Sequence, residues 1–234
     1  MNRPSPPQGS SVTAQRRQRE KEQRYQSILQ AAERLFCERG YPNTKIQEIA
    51  QAAEVAVGTV YFYFRNKEDL LLHLMDAIAL DVRGILGQGF QRGKTPIARF
   101  EEAGRAFFQE FCLARPYQLI ILLRESVGIT PEVEARRRSI FERFNQDVAS
   151  AIQEVMGAIG TPSRFVAEVI SVAIGGMMEG VAYQYLIWQD RSGEMETIAK
   201  EALAFIRGGL LSVLNDLTRT EAGQGSSSKA RTKK

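Results

Sequence analysis

Within the 21 residues from Gln47 to Lys67 the chain gathers an amide, a threonine hydroxyl, three consecutive aromatic rings and an ammonium: Gln47, Thr59, Tyr61, Phe62, Tyr63 and Lys67. No acid and base of this set are spaced to exchange a proton with a substrate. The set fits the holding of a polyanion with readable edges. Tyr and Thr hydroxyls, Lys and free backbone N–H groups hold phosphates, Gln reaches an adenine, and the Thr59 methyl and Phe62 ring meet thymine methyls. Gly58 carries no side chain to keep the backbone off a strand, and Lys67 offers a point charge to a phosphate.

Such groups work only if two short helices present them together. Thr44 follows Pro42 and Asn43 and precedes Gln47 by three residues, which predicts a capped helix start at Thr44. Ile46, Ile49, Ala50 and Ala53 then recur with helical spacing and mark an inward face. Glu54-Val55-Ala56 interrupts the period, with Val55 as an apolar plug, and a second helix is expected from Val57 to Phe64. Val60 and Phe64 would turn inward, leaving Gly58, Thr59, Phe62 and Tyr63 outside with Tyr61 at the flank. Exposed rings need a partner. On this pattern the pair is either a helix-turn-helix that enters a DNA major groove or a helical hairpin packed on a neighbouring domain.

The stretch from about Ile28 to Leu72 resembles the DNA-binding domain of the tetracycline-repressor (TetR) family of bacterial regulators. The likeness runs through Ala31-Ala32, Leu35-Phe36, Gly40-Tyr41, Thr44, Ile49-Ala50, Ala52-Ala53, Val55, Gly58-Thr59-Val60-Tyr61, Tyr63-Phe64 and Asn66-Lys67-Glu68-Asp69-Leu70-Leu71. It implies an all-α chain: an N-terminal three-helix helix-turn-helix domain, then a helical domain that binds a small molecule and dimerises. Residue by residue it implies phosphate contacts at Thr44 or Lys45, Tyr61, Tyr63 and Lys67, and base readout by Gln47, Val57, Gly58, Thr59 and Phe62. The implied partners are a double-stranded DNA operator, a second copy of the chain and a small effector. Two positions depart from the family's pattern. Glu54 stands where Gly is usual in the turn, and Ala56 stands where Ser or Thr usually caps the recognition helix, a cap worth about 0.5–2 kcal/mol.

Charge is segregated along the chain. Residues 1–67 carry +5, residues 68–217 carry −5 and residues 218–234 carry +4, against a total of +4. A positive reader on a negative body would orient itself on a duplex. Arg16, Arg17, Arg19, Lys21 and Arg24 form either an arm that reaches a minor groove or backbone, or a solvated basic segment. The expected organisation is a disordered basic arm over 1–17, the DNA-binding domain over 18–67, the effector and dimerisation domain over 68–218, and a disordered basic tail over 219–234.

Enzyme chemistry finds little support. His73, the one histidine, lies in an apolar run, and there is no Cys/His cluster at metal spacing, no Glu-x-x-His pair and no glycine-rich phosphate loop after a strand. No catalytic group, metal or cofactor is therefore expected. Cys37 and Cys112 sit on apolar helix patterns and read as small core hydrophobes. No run of apolar residues approaches the roughly 18 of a membrane span, and the N-terminus lacks an apolar leader, so a cytoplasmic protein without a membrane partner is expected.

Past Lys67 the periodicity stays helical. A helix is expected over 67–85, ended by a loop at Gly84, Gly87, Gly89 and Gly93; another opens at Thr95-Pro96, a short one covers 117–127, and a long one starts at Thr130-Pro131. Phe100, Phe107, Phe108, Phe111, Ile120, Ile121, Phe141, Phe144 and Met178 are candidates to line an apolar effector cavity. A drug-like hydrophobe, a fatty acid or an acyl thioester would suit it. The last two helices, about 163–189 and 194–217, carry Ile174, Met177, Val181, Tyr185, Phe205 and Leu210 as candidates for a four-helix dimer seam, the alternative being an internal core.

Overall fold

Helical periodicity governs the computed structural model, which describes residues 9–158 and 163–230 and has no strand among them. Helix α1 (Gly9–Arg39) buries Ile28, Ala32, Leu35 and Phe36 and stops at Gly40, whose φ of +82° is the left-handed terminator that glycine adopts without strain. Helices α2 (Ile46–Ala52) and α3 (Val57–Tyr63) pack beneath it through Ile46, Ile49, Ala50 and Val60. Helix α4 (Lys67–Arg92) leaves this three-helix unit and runs into the body. Its start is fixed twice: Asn66 Oδ1 accepts from Asp69 N at 2.8 Å, and the Asp69 carboxylate accepts from Arg65 N and Arg65 Nη2, both at 2.9 Å. Those bonds hold the Asp69 carboxyl below the usual carboxylate range, led by the Arg65 side chain.

The body is built on α5 (Pro96–Ala106), α6 (Pro116–Ile120), α7 (Pro131–Ala158), α8 (Arg164–Ala182) and α9 (Met195–Ala230). Widened π-turns extend three of them, at Phe107–Leu113 after α5, Ile121–Glu125 after α6 and Tyr183–Trp188 after α8. The expected caps at Thr95 and Thr130 form, each hydroxyl oxygen accepting from the backbone N–H three residues on; α8 is capped in the same way by Ser163, whereas the stop and cap expected at Gly160-Thr161-Pro162 lie outside the described residues. Helix α4 lies along α5 and α7, α7 along α8, and α5 against α9.

Three sequence expectations fail here. The glycines at 84, 87 and 89 do not end α4, which continues to Arg92. A Cβ on Gly89 would lie 2.8 Å from Ala106 Cβ and 2.9 Å from Glu102 O, so the residue lets α4 and α5 touch backbone to backbone. Gly89→Val is expected to destabilise the body by about 1–3 kcal/mol through overpacking, read as a lower urea midpoint at unchanged slope. Secondly, the segment 9–17 is helical and continuous with α1, and α9 continues to Ala230, where disordered arms were expected. In the first of these, an Arg16–Glu20 pair at i,i+4 adds helix support; residues 1–8 and 231–234 lie outside the described chain. Thirdly, Arg164–Trp188 is long and apolar enough to cross a membrane, because Gly, Ala and Ser dilute its apolar runs without making them polar. One side of that helix packs on α7 and α9 inside the body, through Ala167, Ile170 and Ile174.

Candidate DNA-reading site and effector cavity

Turn geometry comes first, because it sets how α3 leaves α2. Glu54 sits at φ +56°, with its N–H donating to Gln51 O at 3.1 Å and the Val55 N–H to Ala50 O at 3.0 Å. A left-handed backbone costs an L-residue about 1–2 kcal/mol, which glycine avoids. Glu54→Gly is accordingly expected to raise the melting temperature by about 2–4 °C, offset in part by the freer unfolded chain, as followed by circular dichroism. At the head of α3, Ala56 supplies no side-chain cap, and Thr59 N closes the first turn on Ala56 O at 2.8 Å.

The outward face of α3 is bare. Phe62 is 71% and Tyr61 52% exposed, and a Cβ on Gly58 would meet nothing within 4 Å beyond its chain neighbours and the backbone of α3 itself. Val57 and Thr59 are half-exposed beside them, and Lys45 and Gln47 are exposed on α2. Val60 faces inward on α3, and Phe64 caps its end in an extended conformation, buried and stacked on Tyr25 with ring centroids 5.4 Å apart. Tyr63 is half-buried, and its hydroxyl donates to Lys21 O at 3.0 Å, tying α3 to α1.

Like Tyr63, two further residues expected at phosphates are otherwise engaged. Thr44 is 1% exposed, and its hydroxyl is shared between Leu35 O at 3.1 Å and Gly40 O at 2.9 Å. It does not cap α2; Lys45 is the cap residue, with its N–H donating to the Glu48 carboxylate at 2.9 Å, one position later than the sequence period indicates. Lys67 Nζ donates to Tyr41 O at 2.7 Å, Thr44 O at 2.9 Å and Pro42 O at 3.3 Å, and stands 4.3 Å from the Tyr41 ring centroid. All three donors of the ammonium are spent on the loop between α1 and α2. Burial lowers the Lys67 pKa from its ordinary value.

Within the body, α4, α5, α7 and α8, with Leu119, Leu122 and Leu123 beside them and Ile206 of α9, line a half-open cavity of about 970 Å³. Phe100, Phe107, Phe111, Phe141, Phe144 and Met178 line it, as expected positions for an effector. Phe108 and Ile121 do not; both are fully buried in the core beside it, and Ile120 is absent from the wall too. Ile174, expected in a dimer seam, lines the cavity instead. The wall also carries Glu179, half-buried on α8, whose carboxyl is pushed up by burial while the Arg137 charge partly opposes the rise. At the rim the Arg83 guanidinium on α4 grips the Asp147 carboxylate on α7 at 2.7 and 3.0 Å. Asp76 with Arg136, Asp81 with Arg115 and Arg92 with Glu110 further fasten α4 to its surroundings. Each such pair is about half exposed and contributes no more than about 1 kcal/mol, so these pairs set position more than stability.

Of the seam candidates, Leu210 is buried against Leu203 and Ile206, and Met177 packs on that same cluster. Both belong to the protomer's own core. Val181 and Tyr185 are half-buried, and Phe205 is 74% exposed. Phe165, Val169 and Val172, which sequence did not single out, form an exposed apolar stripe on α8 that runs on through Gly176 and Gly180 at helical spacing, with Val172 and Gly176 also at the edge of the cavity. Its spacing was legible, but the bulkier inward set drew the assignment.

Known proteins repeat this arrangement. The family model described as bacterial regulatory proteins, tetR family, matches residues 28–74. The fatty acid metabolism regulator protein of Bacillus subtilis (strain 168) is 43% identical over 56 residues, which are 24% of this chain and 29% of that one. The transcriptional regulator TtgR of Pseudomonas putida is 25% identical over 169 residues, 70% of this chain and 80% of its own. The crystal structure of FadR from Bacillus subtilis in complex with stearoyl-CoA superposes with a TM-score of 0.66 at 17% identity, covering 76% of this chain and 97% of that one, a likeness of fold. The chain spans under a third of the length of the first of these relatives. Residues 28–74 thus match the model of the tetR family of bacterial regulatory proteins, and the body behind them shares its all-α fold with FadR of Bacillus subtilis.

Proposed function

We propose that the chain is a ligand-responsive repressor, which binds a near-palindromic operator as a homodimer in the cytoplasm and releases it when a small apolar effector enters the body. The observation that carries this reading is the bare edge of α3, where Phe62, Tyr61 and Gly58 stand open on a rigid three-helix unit. Base readout falls to Gln47, Val57, Gly58, Thr59 and Phe62, and phosphate contact to Lys45 and Tyr61.

Dimerisation is supported by the apolar outer face of the last two helices. Phe165, Val169 and Val172 on α8 and Phe205 and Leu211 on α9 are exposed, and an added Cβ at Gly176, Gly180, Gly208 or Gly209 would meet nothing within 4 Å beyond its chain neighbours and its own helix backbone. A second copy related by a two-fold axis would cover this face with its own, the small residues admitting close helix approach. Two readers held so would address successive major grooves about 34 Å apart. The cavity supports an effector with a long apolar part. An acyl chain suits its aromatic wall, and FadR of Bacillus subtilis, which shares the fold, was solved with stearoyl-CoA. Entry between α4 and α7 would shift α4 and change the separation of the readers.

The test is selection of random duplexes on the full chain, followed by gel-shift titration of the winning sequence with and without palmitate, palmitoyl-CoA and a hydrophobic drug. A two-fold-symmetric winner bound by a dimer, and released by one of these, is expected. A specific duplex that none of them releases would point to a constitutive architectural binder; no enrichment at all would overturn the DNA reading.

A further inference from the structure

We propose that the N-terminal sixteen residues of α1, Gly9–Arg24, form a rigid cationic arm that lies along the phosphate backbone outside the bases read by α3; the proposal rests on the DNA-reading function above. From Ile28 onward, one face of α1 is apolar and packs on the three-helix unit through Ile28, Leu29, Ala32 and Leu35. Followed back toward the N-terminus, the same helical stripe passes through Arg24, Lys21 and Arg17, at positions i−4, i−7 and i−11 from Ile28. Where the bundle ends, then, the core-facing stripe changes from apolar to cationic rather than to neutral polar.

That stripe overhangs the reading helix. The Tyr63 hydroxyl donates to Lys21 O at 3.0 Å, Lys21 Nζ stands 5.6 Å from the Phe62 ring centroid, and Tyr25 meets Tyr63 edge-on with centroids 5.9 Å apart. The arm therefore starts at the C-terminal end of α3, on the side where Phe62 is bare. Charge sorting around the helix agrees. Arg16, off the stripe, is paired with Glu20, while none of the ion pairs formed among the described residues involves Arg17, Lys21 or Arg24. Every residue from Thr13 to Arg19 is exposed. Three unneutralised cations on one side of a helix that projects about 22 Å past Arg24 suit one chemistry, a row of phosphates. Arg17 to Arg24 spans about 10 Å of helix axis, or roughly three base pairs of duplex.

The experiment compares the full chain with Arg17→Gln/Arg24→Gln, a change that keeps helix propensity and leaves the reading face alone. Probes are the selected duplex and the same duplex shortened by three base pairs at each end, with affinity measured by fluorescence anisotropy from 0.05 to 0.3 M KCl. Loss of two phosphate contacts per reader is expected to lower the slope of log K against log salt by about 2 per subunit and to weaken binding at least tenfold at 0.15 M. Shortening the duplex should weaken the wild-type chain and hardly touch the variant. Hydroxyl-radical protection should vanish at the outer flanks and persist over the central bases. An unchanged slope and footprint in the variant would overturn the arm while leaving the reader standing. Should the wild-type chain enrich no duplex, the reading function fails first, and the arm with it.

Discussion

Replacing Lys67 by Met is expected to lower the stability of the reader by about 2–3 kcal/mol, a fall in melting temperature of about 5–10 °C. The ammonium donates to three carbonyls of the loop between α1 and α2 and caps the face of Tyr41. Met keeps the helical start of α4 and the length of the stem but leaves all three acceptors without their charged donor. Arg should not rescue it, since a planar fork cannot aim three bonds from one atom at converging carbonyls. Operator binding should be lost with the fold of the loop, at every salt concentration alike. A Lys67→Met chain that melts normally and merely loses about one unit of salt slope would identify the residue as a phosphate ligand and refute the anchoring role.

Phe62→Ala is expected to do the opposite: leave melting unchanged and cost about 1–3 kcal/mol of sequence-specific affinity per subunit, roughly ten- to two-hundred-fold. The ring is 71% exposed and packs edge-on against Tyr63 alone among the aromatics, so the folded chain loses little by its removal. Binding to random duplex should hardly change, because phosphates and not bases supply that affinity. Competition gel shifts with selected and scrambled duplex separate the two. Equal retention of specific binding by the variant would take base readout away from Phe62.

What sequence made legible was the part dictated by local rules. The caps at Thr95 and Thr130 and the inward Val60 follow from side-chain chemistry and helical period, and each stands as expected. The errors share a different cause, since they turn on a neighbour distant in the chain. Gly89 looks like a loop residue until α5 arrives against it. Thr44 has the composition of a cap, but its hydroxyl is claimed by the carbonyl of Leu35. Lys67 carries the right charge for a phosphate and spends it 23 to 26 residues away in the chain. Period alone likewise cannot separate the wall of a cavity from the core behind it, so Phe107 and Phe108 were indistinguishable in sequence although only Phe107 meets the space. Ile174 and Leu210 shared the period of a seam and turned out to belong to the protomer's interior.

Helix α4 is a single unbroken element of 26 residues that begins at the anchor of the reader and ends beside the cavity. At 1.5 Å per residue it is about 39 Å long, so pivoting it by roughly 5° swings its far end by about 3 Å, close to the rise of one base pair. In the dimer proposed above, such a lever would multiply a displacement too small to disturb the packing of the cavity wall into one large enough to put a second reader out of step with its groove.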